Sequence, residues 1–212
     1  MEKAMKDYFD KRGPVLVKNL RKRHFDAYYC STREEALQQV LAIIPEGSTI
    51  GWGGAISAAQ VGVQAVLNAG NYTTIDRDQF TDPAEKLRCM RQCFDADYFI
   101  TGANAISLDG QMVNIDGNGN RVGMIVYGPK YIVVVAGMNK VCATLEDAIR
   151  RARTIAAPLN QQRFLLDNPC TCTGVCADCT SESSICNQIL ITRHCRPAGR
   201  IKFVLVGEEL GL

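Results

Sequence analysis

Apolar positions along the chain switch repeatedly between a helical period and short continuous runs, and the switches outline an alternating order of helices and strands. Residues 1 to about 23 carry Met5, Phe9, Val15, Val17 and Leu20 among charges, which predicts a helix that Gly13-Pro14 breaks or kinks. A short strand follows at 24–30. Ser31-Thr32-Arg33-Glu34 has the spacing of a capping box ahead of Leu37, Val40, Leu41 and Ile44 on one helical face, and Pro45 ends that helix. Residues 49–52 predict a buried strand entering a turn at Gly53-Gly54, and 57–67 the helix leaving it, closed by Gly70. A strand at 72–75 precedes Asp82-Pro83, an N-cap with proline at the first helical position, for a helix reaching Phe94. Beyond a strand at 97–102, the apolar runs 111–115, 122–127 and 131–136 are so closely spaced that they predict three strands, antiparallel or mixed. A charged amphipathic helix at 145–156 and late strands at 189–192 and 201–206 complete the order.

This alternation predicts an α/β fold: a mainly parallel, Rossmann-like sheet with helices on both faces. No repeat, low-complexity tract or linker interrupts it, and 212 residues suit one domain over 1–212 better than two small ones. Ligands on such sheets bind beyond the carboxyl ends of strands, so the loops there are the first place to look for chemistry.

Composition narrows the classes. Apolar residues make up 47% and charged residues 22% of the chain, which is ordinary globular usage. Basic and acidic residues, 24 and 22, are interspersed, and the cluster Arg21-Lys22-Arg23-His24 suits the carbonyl-rich end of a helix, so nucleic acid is not an expected partner. The first residues lack a signal-peptide core, and no apolar run nears the ~20 residues of a membrane span, so a cytoplasmic location is expected. In that setting the ten cysteines stay reduced, and clustered ones bind metal more often than they form disulfides.

Two loops carry candidate ligand chemistry. Gly51, Gly53, Gly54 and Ser57 lie where a strand passes into a helix, so their backbone N–H groups can face an anion; a tight turn alone also explains them. The spacing is not that of a dinucleotide fingerprint, and no phosphate-binding P-loop or other nucleotide cofactor motif occurs. Farther on, Asn104, Asn114, Asp116, Asn120 and Arg121 gather around two glycine-rich turns and offer amides, a carboxylate and a guanidinium to one small anionic ligand. Calcium is not expected, because the run lacks alternating ligands and a closing glutamate. Glu208, just past the last apolar strand, is a candidate general base beside Asp116, or part of a solvated acidic tail.

Cys170, Cys176, Cys179 and Cys186, within segment 170–186, have a C-x5-C-x2-C-x6-C spacing that can close a tetrahedral zinc site or hold an iron–sulfur cluster. Thiolates alone do not choose between these metals. Cys172, Cys195 and His194 are spare ligands, and Cys30, Cys89, Cys93 and Cys142 read as small apolar core residues.

The runs Gly102-Ala103-Asn104-Ala105-Ile106-Ser107, Asp109-Gly110, Asn114-Ile115-Asp116-Gly117-Asn118-Gly119-Asn120-Arg121, Gly137-Met138-Asn139-Lys140 and Val206-Gly207-Glu208-Glu209-Leu210-Gly211 resemble the LUD domain family of lactate-utilisation proteins across nearly the whole chain. The cysteine segment is similar to that of its short, single-domain members. The resemblance implies a fold similar to CoA transferases and ribose-5-phosphate isomerase. It also implies a link to oxidation of lactate or related organic acids, in which some members work with iron–sulfur partner proteins. The ferredoxin-like cysteine repeats of longer members are absent here, so internal electron transfer does not carry over. The expected function is organic-acid utilisation, with Arg121 on a substrate carboxylate or phosphate; the alternative is a non-enzymatic module that binds a metabolite and is stabilised or redox-tuned at its cysteines. A homodimer is compatible with the apolar surface after Gly123.

Overall fold

The computed structural model describes residues 3–164 and 166–212. Helix α1 (Lys3–Lys22) leads into β1 (Asp26–Cys30), α2 (Arg33–Ile43) and β2 (Thr49–Trp52). The glycine loop feeds α3 (Ile56–Val61) and α4 (Val63–Ala69), followed by β3 (Thr73–Ile75), α5 (Pro83–Gln92) and β4 (Tyr98–Thr101). Strands β5 (Ala105–Ser107) and β6 (Met112–Asp116), helix α6 (Asn120–Tyr127), and strands β7 (Tyr131–Gly137) and β8 (Val141–Cys142) come next. The chain closes with α7 (Leu145–Arg151), α8 (Ala157–Gln162), α9 (Pro169–Thr173), β9 (Gln188–Thr192) and β10 (Ile201–Val206).

Six strands form the main sheet in the order β1-β10-β7-β4-β2-β3, every neighbouring pair parallel. Its central strands read as unbroken apolar runs because both faces are covered. Ile132, Val134, Phe203 and Leu205 pack with Leu16 and Leu20 of α1 and Met124 of α6. The alternate residues Val133, Val135, Val204 and Val206 pack with Val40 of α2, Ala58 of α3 and Val63 of α4. Phe203 meets Phe25 edge-on at 5.2 Å, and truncating so buried a ring costs about 3–5 kcal/mol. The fold is therefore the α/β, mainly parallel Rossmann-like sheet that the element order predicts.

A second sheet, β8-β5-β6-β9, is mixed: β6 runs antiparallel to both β5 and β9, while β5 and β8 are parallel. Val113 and Ile115 of β6 pack against Ala148 of α7 and Ala152.

Local predictions differ from the structure at five places. Helix α1 runs through Pro14 without ending, and Gly13 serves packing: its backbone closes onto the Tyr29 ring, where a Cβ would lie 2.2 Å from Cδ2; residues 1 and 2 of the predicted helix lie outside the described residues. The cap of α2 is Thr32, whose side chain accepts from Glu35 N, while Ser31 N donates back to Glu35 Oε2 at 2.7 Å, one residue later than Ser31-x-x-Glu34. Gly62, at φ +90°, divides the helix predicted over 57–67 into α3 and α4. The helix predicted over 145–156 continues through a π turn, Ala152–Ala156, into α8. The run 122–127 is helix α6 instead of a strand, because Asp116 Oδ2 accepts the backbone N–H groups of Arg121 and Val122 and so caps the helix from the end of β6.

Candidate functional site

Strands β10, β7, β4 and β2 are consecutive in the main sheet, so the loops at their carboxyl ends converge. They are Gly53-Gly54 after β2, Gly102-Ala103-Asn104 after β4, the turn Met138–Lys140 after β7 and residues 207–212 after β10. Together with the loop after β6 they enclose a cavity of about 830 Å³, whose walls include Gly53, Gly54, Asn104, Asp116, Arg121 and Lys140. A second depression of about 730 Å³ lies along α2 around Leu37 and Gln38; it contains no buried titratable group, so the strand-end cavity is the candidate site.

Arg121 is held on one wall. Its Nη2 donates to Asn104 Oδ1 at 3.2 Å and to the Ile115 carbonyl, and its Nε lies 3.6 Å from Asp116 Oδ2. The same carboxylate oxygen accepts Arg121 N at 3.1 Å, so Asp116 fixes both the backbone and the side chain of this residue. Burial pushes the guanidinium below its ordinary pKa, and Asp116 works against that shift. Gly54, at φ +62°, brings its backbone against Arg121: a Cβ there would sit 3.0 Å from Nη1. Nη1 makes no hydrogen bond among the described residues, which leaves one edge of the planar fork available to a ligand.

Lys140 occupies the floor. It is 5% exposed, and its Nζ donates to Ser57 Oγ at 3.2 Å. A Cβ on Gly211 would lie 2.6 Å from both of those atoms, so the glycine permits the chain after β10 to cross directly over the amine. Among the described residues no carboxylate pairs with Lys140. Burial lowers its pKa to about 7, with Arg151 and then Arg121 pushing the same way. A cavity that combines a near-neutral amine with an open guanidinium edge is suited to a small anion that exchanges a proton.

The LUD domain family model matches residues 14–206. The chain belongs to the LUD domain family. The family is associated with lactate utilisation, and its runs quoted above supply Asn104, Asp116, Arg121 and Lys140 to this one cavity. This LUD domain is similar to a DUF162 family protein from Deinococcus radiodurans, at 9% identity over 95% of this chain and 97% of the other, with a TM-score of 0.48. A D-ribose-5-phosphate isomerase in complex with phospho-erythronic acid aligns at 15% identity over 53% of this chain and 54% of the other, TM-score 0.38. Ribose 5-phosphate isomerase A from Neisseria gonorrhoeae aligns at 17% identity over 53% and 54%, TM-score 0.35. The LUD domain spans about half the length of those isomerases, and no curated protein sequence matches it.

The remaining predicted positions divide by location. Asn120 lines the cavity, and Ser57 reaches it through Lys140. Asn114 is fully buried beneath, its Nδ2 donating to the Gly102 carbonyl at 3.1 Å, so it shapes the loop after β4; its Oδ1 has no partner among the described residues. Gly51 lies inside β2 with its Cα against the Cys93 thiol, where a Cβ would meet Sγ at 2.4 Å, so packing accounts for it. Glu208 is outside the cavity lining. Arg33 donates to it from its backbone N and from Nε, each at 2.9 Å, and holds the carboxyl below the usual range. Lys140 was missed as a site residue, although it stands in Gly137-Met138-Asn139-Lys140 at the carboxyl end of a central strand, the position where a parallel sheet presents ligands.

In this LUD domain Cys170 lies in α9, and Cys176, Cys179 and Cys186 lie in the irregular stretch leading to β9. Burial and then the charges of Cys176, Cys170 and Cys179 raise the Cys186 pKa, and Cys170 is raised by burial and also feels Cys179 and Cys176, so the four thiols share one electrostatic neighbourhood. Among the described residues, no three His, Cys, Asp or Glu side chains are already gathered at metal-ligand geometry. Cys172 is exposed, and Cys195 is buried elsewhere, accepting Ile201 N at 3.3 Å. His194 lies against His24, the ring centroids 4.4 Å apart and the planes tilted by 57°. Cys30, Cys89 and Cys93 are buried and Cys142 half-buried. Among the described residues no helix is long and apolar enough to cross a membrane.

Proposed function

We propose that this LUD domain binds a small lactate-type carboxylate in the strand-end cavity and moves a proton on it through Lys140. The observation that carries this reading is the buried Lys140 amine, without a carboxylate partner among the described residues, in the same cavity as Arg121. The free Nη1 edge of Arg121, beside the Gly53-Gly54 backbone, takes the substrate carboxylate, which planar guanidinium donors match in shape and charge. Asp116 and Asn104 are positioning residues, because their oxygens are already engaged by Arg121 and the backbone around it.

With a pKa of about 7, Lys140 populates both protonation states near neutral pH, the condition under which a proton carrier works best. The neutral amine accepts the proton of a substrate hydroxyl, or of a carbon beside a carbonyl, and the ammonium so formed returns it. Complete oxidation of a 2-hydroxy acid to a 2-oxo acid releases two electrons and two protons, from the hydroxyl and from the carbon bearing it; we assign the electrons to a separate iron–sulfur redox protein and only binding and proton transfer to this chain.

The test is exchange of solvent deuterium into a 2-oxo acid such as pyruvate. Exchange catalysed by the wild type and lost in Lys140→Met supports proton transfer. Tight packing of Gly211 over the amine favours a second reading, a non-enzymatic metabolite-binding module. Saturable carboxylate binding without exchange would select that reading.

A further inference from the structure

Residues 174–187, between α9 and β9, contain neither helix nor strand, yet they form a wall of the cavity. Irregular stretches of this length in compact domains are uncommon and need something other than secondary structure to hold them. Glu182, Ser183 and Ile185 face the cavity, and Ile185 closes on the loop after β6, its Cα 3.1 Å from where a Cβ on Gly117 would stand. Among the described residues its side-chain tethers are these: Asn168 and Ser183 bond reciprocally at 3.2 Å, Ser183 Oγ also donates to the Asp167 carbonyl at 3.5 Å, Asn187 Nδ2 donates to the Gly117 carbonyl at 3.0 Å, and Arg153 pairs with Asp178. Distributed along the same stretch, and in α9 immediately before it, are Cys170, Cys176, Cys179 and Cys186, all free thiols.

The backbone turns sharply within the cysteine run. Asp178, between Cys176 and Cys179, has φ +51°, and Gly174, between Cys170 and Cys176, has φ +74°, so the chain reverses twice within the cysteine run. Cys170 is tied back to α8, its carbonyl accepting Gln162 Nε2 at 2.8 Å. A thiophilic cation shared by cysteines on both sides of these turns would cross-link a stretch that secondary structure does not hold.

We propose that Cys170, Cys176, Cys179 and Cys186 hold one thiolate-ligated metal centre, a zinc ion or an iron–sulfur cluster, that fixes residues 174–187 as the outer wall of the cavity. Four protein ligands saturate a zinc ion, so a zinc centre here is structural, whereas an iron–sulfur cluster adds a redox group at the rim. The inference is independent of the proton chemistry assigned to Lys140, because its readouts are metal and backbone order.

The experiment is metal and acid-labile sulfide analysis of the full chain purified without oxygen, with amide hydrogen exchange before and after chelation. One zinc per chain without colour, or iron with sulfide and a brown chromophore, supports the centre and identifies it. Chelation is then expected to abolish protection of amides 174–187 while protection of β7 and β10 persists. Cys186→Ser is expected to lose the metal and Cys172→Ser to keep it. Metal-free protein carrying four reactive thiols, or a loaded protein whose 174–187 protection survives chelation, would overturn the proposal.

Discussion

Lys140 Nζ donates to Ser57 Oγ at 3.2 Å, joining the carboxyl end of strand β7 to the first turn of α3 across 83 residues of sequence. The bond is the amine's partner in a place where ammonium charge is expensive, beneath Gly211 and within the electrostatic reach of Arg151 and Arg121. A lysine buried under these conditions weakens the fold in its charged form, which is the stability cost of the proton-transfer role proposed for it.

The first prediction concerns pH and stability. The folded pKa of Lys140 is about 7, below the ~10.4 of an unfolded lysine. Between these values the unfolded chain binds more protons at this site than the folded chain, so stability rises with pH, by up to ~1.4 kcal/mol per pH unit. Below the folded pKa both states carry the proton and the cost of burying the charge is felt in full. Lys140→Met is therefore expected to be more stable than the wild type in mildly acidic urea titrations, by a margin that shrinks as pH rises. A margin independent of pH would show that Lys140 titrates normally.

Arg121→Lys keeps the charge but not the fork. A lysine ammonium cannot serve Asn104 Oδ1, the Ile115 carbonyl and a ligand in one plane, so carboxylate affinity is expected to fall at least about tenfold. Leaving one buried acceptor unpaired costs roughly 1–3 kcal/mol. Calorimetric binding and chemical denaturation measure the two effects separately, and an affinity equal to that of the wild type would remove Arg121 from the site.

Glu208→Gln separates a surface ion pair from a catalytic base. Because Arg33 already engages Glu208 and the carboxylate is outside the cavity lining, this substitution is expected to leave carboxylate binding and deuterium exchange unchanged. Loss of a partly exposed pair costs at most about 1 kcal/mol. Exchange abolished by Glu208→Gln would restore the carboxylate as a proton carrier.

Which features are legible in the sequence follows from how local their causes are. Strand β10 reads directly as an apolar run because both of its faces are covered, and Asp82-Pro83 announces α5 because its cap is made three residues away, at Glu85 N. Helix α6 reads falsely as a strand: Val122, Ile125 and Val126 are β-branched, and the deciding cap comes from Asp116, on another element. The second sheet escapes notice because β5 and β8 have only three and two residues. At the site, Gly53-Gly54, Asn104 and Arg121 stand out as polar or glycine positions following strands. Lys140 does not, since its burial is created by Ser57 and Gly211, far away along the chain.

The most direct measurement of the central claim is calorimetric titration of the wild type and Lys140→Met with lactate and with pyruvate, at about pH 6 and about pH 8.5, on either side of the folded lysine pKa. Saturable binding to the wild type is predicted, tighter at the lower pH where Lys140 carries its charge, together with weaker and pH-independent binding to the variant. Absence of saturable binding to the wild type, or the same affinities and pH dependence in both proteins, would contradict a carboxylate site built on Arg121 and Lys140.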